Sequence, residues 1–87
     1  MKIKEGFVLR QVAGSWVVLT VGQASVNFNK ILSLNESGVL LWRALEKEGD
    51  RNSLTEIMLA EYDVDEATAR AAVERFVAKL ESNGFLE

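Results

Sequence analysis

Eighty-seven residues, 48% hydrophobic and 26% charged, suffice for one domain over residues 1–87, and the composition is neither disordered nor membrane-like. The chain has no cysteine, histidine or proline. That excludes disulfides, thiolate chemistry, the usual zinc ligands and every histidine-dependent acid–base arrangement. No cofactor, no metal and no independent catalysis is expected.

The formal charge of −3 is unevenly spread. Lys2, Lys4, Arg10 and Lys30 against Glu5 make residues 1–34 net +3, whereas six basic and twelve acidic side chains make residues 35–87 net −6. Such a split suggests two faces with different partners. The longest apolar runs, Trp16–Leu19 and Val39–Trp42, fall far short of a membrane span. No apolar segment or cleavage site follows Met1–Glu5, so the chain reads as cytoplasmic.

Phe7–Val12 alternates Phe7, Leu9 and Gln11 with Val8, Arg10 and Val12, as a strand does. Ala13-Gly14-Ser15 signals a turn, and Trp16–Val21 follows as a second strand, the pair forming a hairpin with a tight loop at Gly14. Apolar residues on both faces of the second run suggest a central strand. Val26 and Phe28 mark a short strand turning at Asn29-Lys30 into Ile31–Leu34, a short strand near a sheet edge.

Asn35 is a good N-cap, with Glu36 in the first turn opposing the helix dipole. The helix is expected to run to about Lys47, burying Leu41, Trp42 and Leu45, and to stop at a left-handed Gly49. Ser53-Leu-Thr-Glu56 reads as a capping box opening a second helix, whose Leu54, Ile57, Met58 and Tyr62 share a face. Asp65 caps a third helix through about Asn83, with Ala69, Val73, Phe76 and Leu80 as its apolar stripe. Gly84-Phe85 fits a Schellman ending in which Phe85 packs back on Leu80. The expected class is α+β: two or three antiparallel N-terminal strands, then three helices, in a winged helix-turn-helix.

A helix-turn-helix invites a DNA reading. Residues 53–83, however, carry a net −4 and forfeit the phosphate attraction that dominates such binding. A winged-helix regulator is therefore the second reading. The first is strand addition: a short edge strand offers unpaired N–H and C=O groups that an extended peptide can complete. Lys30, Ile31, Leu32 and Ser33 would carry the ladder, and Arg70, Val73 and Val77 would line a groove formed by the third helix. Val73 also belongs to the core stripe, whereas Arg70 and Val77 lie on its flank. An edge open to a peptide is equally open to a second copy, so homodimerisation is a third use of the same strand.

The runs L-N-E-S-G-V-L-L-W-R-A-L (Leu34–Leu45), L-x-x-I-M-L-A-E-Y-D-V-D (Leu54–Asp65) and A-A-V-E-R-F-V-A-K-L-E-S-N-G-F-L (Ala71–Leu86), in that order and spacing, resemble the PqqD-like family. Phe7–Gly22 looks like that family's first two strands. These are small winged-helix proteins, also called precursor-peptide recognition elements of ribosomally made, modified peptides. The resemblance implies a non-catalytic peptide chaperone that takes a leader peptide on its third strand, against its third helix. It then presents the core segment to a modifying enzyme, often a radical S-adenosylmethionine protein. Carried to this sequence, the docking strand falls within Asn29–Leu34 and the wall within Arg70–Leu80. Relatives often have Asn-Gly where this chain has Asn29-Lys30.

Overall fold

The computed structural model describes residues 1–20 and 32–87. The N-terminal hairpin forms as the alternation predicts, with β1 at Phe7–Val12 and β2 at Ser15–Thr20. Val12 lies opposite Ser15, which leaves a two-residue loop. Ala13 and Gly14 both have positive φ, 51° and 82°, the backbone of a type I′ turn whose twist matches the flanking strands. β3 (Leu32–Leu34) pairs antiparallel with β2, so the sheet order is β1-β2-β3 and the two-sided apolar β2 is central. The expected Val26–Phe28 strand, the Asn29-Lys30 turn and Ile31 lie outside the described residues.

Three helices follow: α1 (Glu36–Leu45), α2 (Arg51–Glu61) and α3 (Glu66–Ser82). This is the expected α+β order, and a winged helix-turn-helix fits it. Asn35 caps α1 by accepting the Gly38 N–H at 2.9 Å, and Asp65 caps α3 by accepting the Thr68 N–H at 2.7 Å. The end of α3 is the expected Schellman motif. Gly84 has φ 77°, its N–H reaches the Glu81 carbonyl at 3.2 Å, and the Phe85 N–H reaches the Leu80 carbonyl at 3.0 Å.

Two boundaries differ from expectation. α1 stops at Leu45, not at about Lys47, and Gly49 is not left-handed. The Lys47 N–H turns to the Ala44 carbonyl at 3.4 Å, tightening the last turn, while the Gly49 N–H reaches the Met1 carbonyl at 3.0 Å. The N-terminal segment therefore takes the place of a glycine cap. The N-cap of α2 lies three residues before the expected Ser53. Asp50 is the N-cap, accepting the Ser53 N–H at 2.8 Å, while its own N–H donates to Ser53 Oγ at 3.0 Å. The capping box is therefore Asp50–Ser53 and not the expected Ser53–Glu56, with Ser53 at the third helical position instead of the cap.

Between sheet and helices, Val18 and Leu32 from the strands meet Leu41, Trp42, Leu45, Leu54, Met58, Ala69, Val73, Phe76, Val77 and Leu80 in one core. Phe85 closes it, 4.8 Å from Phe7 and 5.7 Å from Trp42 between ring centroids. Ile3 pairs with Leu86 beside it, and the Ile3 N–H donates to the Leu45 carbonyl at 3.0 Å. The two ends of the chain are thus tied to the end of α1.

Candidate functional site

The pairing register fixes which backbone groups of β3 face outward. In a hairpin with a two-residue loop, the residues flanking the loop exchange hydrogen bonds, and such pairs recur at every second position. Val12–Ser15, Arg10–Val17 and Val8–Leu19 are therefore the bonded pairs of β1 and β2. Ser15, Val17 and Leu19 spend their backbone groups on β1, which leaves Trp16, Val18 and Thr20 facing β3. Trp16 lies opposite Leu34 and Val18 opposite Leu32, so Leu32 and Leu34 bond inward. Ser33, between them, directs its N–H and C=O to the outer edge. Among the described residues no strand pairs with that edge.

Beside it lies a cleft of roughly 300 Å³ between β3, the first turns of α1, and α3. Its floor is apolar, made by Leu34, Leu41, Ala72 and Phe76, and its rim is polar, made by Ser33, Asn35, Ser37, Arg75 and Lys79. The Asn35 side-chain oxygen Oδ1 orders one rim by accepting both the Gly38 N–H and the Ser37 hydroxyl, the latter at 3.0 Å. Gly38 lets β3 approach α1 closely: a Cβ there would stand 3.2 Å from the side chains of Leu34 and Asn35.

The residues singled out from sequence fall in different places. Ser33 is exposed at the outer edge, and Leu32 is buried in the core face of the same strand. Asn29, Lys30 and Ile31 lie outside the described residues. Val73 and Val77 are fully packed into the core, 1% and 0% exposed, and have no surface to offer a partner. Arg70 sits on the flank of α3 toward α2, where its Nε meets Glu66 at 2.9 Å and its guanidinium donates to Asn52 at 3.2 Å. The cleft wall is instead Ala72, Arg75, Phe76 and Lys79. Successive helical residues step by 100°, so 70 and 77 border one side of the apolar stripe and 72, 75 and 79 the other. The sequence displays both flanks; which of them faces β3 depends on how α3 crosses the sheet.

Charge on the acidic caps follows from their hydrogen bonds. Asp65 is held below the usual carboxylate range by the Thr68 hydroxyl and backbone N–H, and Asp50 by the Ser53 N–H. Glu48 is lowered by its hydrogen bond with the Met1 ammonium. None of the three lines the cleft. Among the described residues no group of acidic side chains could hold a metal ion, and no helix is long and apolar enough to cross a membrane.

Two solved structures share this fold. TbiB1 in complex with the TbiA(beta) leader peptide superposes with a TM-score of 0.78 at 25% identity, over 100% of this chain and 95% of that one. A lasso peptide synthetase B1 complexed with the leader peptide superposes at 0.74 and 19% identity, over 97% of this chain and 93% of that one; at that identity it speaks for the fold. No curated protein matches the chain. The family model for coenzyme PQQ synthesis protein D (PqqD) matches residues 15–86, from the start of β2 through the Schellman ending of α3, and the chain belongs to that family.

Proposed function

We propose that this protein is a non-catalytic recognition module, acting as a single domain over residues 1–87, for the leader of a ribosomally made precursor peptide. The leader adds as a strand to the outer edge of β3 and is presented to a modifying enzyme, in the cytoplasm where the precursor emerges. A radical S-adenosylmethionine protein is one candidate for that enzyme. The observation that carries the reading is the outward-facing backbone of Ser33 beside an apolar cleft. Edge pairing supplies affinity and adjoining pockets supply specificity in this mode of binding.

Energetics make both parts necessary. Ordering a free peptide costs roughly 2–5 kcal/mol. A ladder in water gains little net stability per bond, so an anchor side chain on the floor of Leu34, Leu41 and Phe76 has to supply the surplus. The regulator reading is disfavoured by the net −4 of residues 53–83, which forfeits the phosphate attraction that dominates DNA binding.

The test is a titration of isotope-labelled protein with leaders from short reading frames beside its gene, followed by NMR. Shifts confined to Leu32–Leu34 and to Ala72, Arg75, Phe76 and Lys79 support the proposal. Silence with every leader, together with broad shifts on adding duplex DNA, would overturn it. Self-association through β3 would appear as concentration-dependent shifts at the same strand without any peptide.

A further inference from the structure

The charges of α3 are sorted between its two flanks. Toward α2, Glu66 holds Arg70, while Glu74 and Glu81 both engage Arg51 from the start of α2. Toward the cleft, Arg75 and Lys79 stand one turn apart and exposed. Among the described residues no carboxylate pairs with either, and none lines the cleft. In a chain of net charge −3, the neighbouring Arg51 and Arg70 are paired, whereas these two stand at the rim of an apolar floor with no carboxylate partner among the described residues.

Resting on the reading that the β3 edge takes a peptide, we infer that the docked segment carries an acidic residue beside its apolar anchor, and that Arg75 and Lys79 select for it. Alternate residues of a strand point to the same side, roughly 6.8 Å apart. An anchor on Leu34, Leu41 and Phe76 therefore places the residue two positions away on the same side, against the rim that carries the two cations. Docking withdraws that rim from bulk solvent, so the attraction is screened less than at an open surface. The same two charges reject a lysine or arginine at that position, which makes them a filter as well as a contact.

The experiment is selection of a displayed library of random twelve-residue peptides on the wild-type protein and on R75E/K79E. Counter-selection on Ser33→Pro removes binders of other surfaces. Both target side chains are exposed, and circular dichroism and melting confirm that the variants fold. Wild-type binders are expected to share an apolar residue with Asp or Glu two positions away, and R75E/K79E should enrich Lys or Arg there. R75K/K79R should retain the acidic preference. In a synthetic wild-type binder, replacing the acid by its amide should weaken binding by about fivefold, and less at high salt. Binders without the acidic preference, or a preference unmoved by R75E/K79E, overturn the inference while leaving peptide capture intact. No enrichment on any folded form overturns both.

Discussion

The ring of Phe85 stands edge-on to the indole of Trp42, 5.7 Å between centroids at 78°, and joins the end of the chain to the middle of α1. Phe85 also lies 4.8 Å from Phe7 in β1, so one side chain bridges the hairpin, α1 and the terminus of α3. Both Trp42 and Phe85 are buried, at 0% and 1% exposure. Phe85→Ala should therefore cost about 3–5 kcal/mol, a large part of the stability of so small a domain. Urea unfolding followed by circular dichroism measures it. A loss below about 1 kcal/mol would mean that the aromatic junction contributes little.

Phe85 reaches that position because the chain reverses at Gly84, whose φ of 77° costs a side-chain-bearing residue roughly 1–2 kcal/mol. Gly84→Ala should lower stability by that amount, and Gly84→Asn by less, since asparagine tolerates the left-handed region. Equal effects of the two substitutions would point to crowding in place of backbone strain.

The acid limb of stability should come from the helix caps. Asp65 and Asp50 have folded-state pKa values below their unfolded ones, because Thr68 and Ser53 donate to the charged carboxylates, and Glu48 is lowered by the Met1 ammonium. A depressed pKa contributes stability above the unfolded value, about 3.9 for Asp and 4.3 for Glu, and that contribution is lost as pH falls through the folded value. The melting temperature should hold from neutral pH down to about pH 5 and fall below about pH 4. Asp65→Asn keeps a capping acceptor and should give a shallower acid limb with a lower plateau. An acid limb unchanged in Asp65→Asn would remove that cap from the explanation.

Features encoded within a few residues were legible in the sequence. The Asp65 cap, the Gly84-Phe85 ending and the turn containing Gly14 depend on backbone preferences that neighbours do not alter. Boundaries decided by distant parts of the chain were not legible. Gly49 loses the role of a cap because the Met1 carbonyl, from the other end of the sequence, takes its N–H. Asp50 and Ser53 are comparable caps three residues apart, and starting at Asp50 lets Arg51 join Glu74 and Glu81 on α3. The site divided in the same way. The edge strand follows from a short run after a hairpin, but the choice of Arg75 and Lys79 over Arg70 and Val77 depends on which flank of α3 faces β3.

The most specific consequence of the register concerns two adjacent residues of β3. Proline lacks an N–H and is accepted in a sheet only where that N–H would face away from the ladder. Ser33 directs its N–H to the outer edge and Leu34 directs its own to Trp16 of β2. Ser33→Pro should therefore fold, with a melting temperature close to that of the parent protein, yet lose binding of a leader peptide, because a rung of the new ladder is gone. Leu34→Pro should fail to fold stably, because it removes a bond inside the sheet and also disturbs a side chain packed on the core. Melting followed by circular dichroism and titration with a fluorescent leader separate the outcomes. A register displaced by one residue would reverse them, giving an unstable Ser33→Pro and a folded Leu34→Pro. A folded Ser33→Pro that binds a leader with undiminished affinity would show that the peptide does not use this edge.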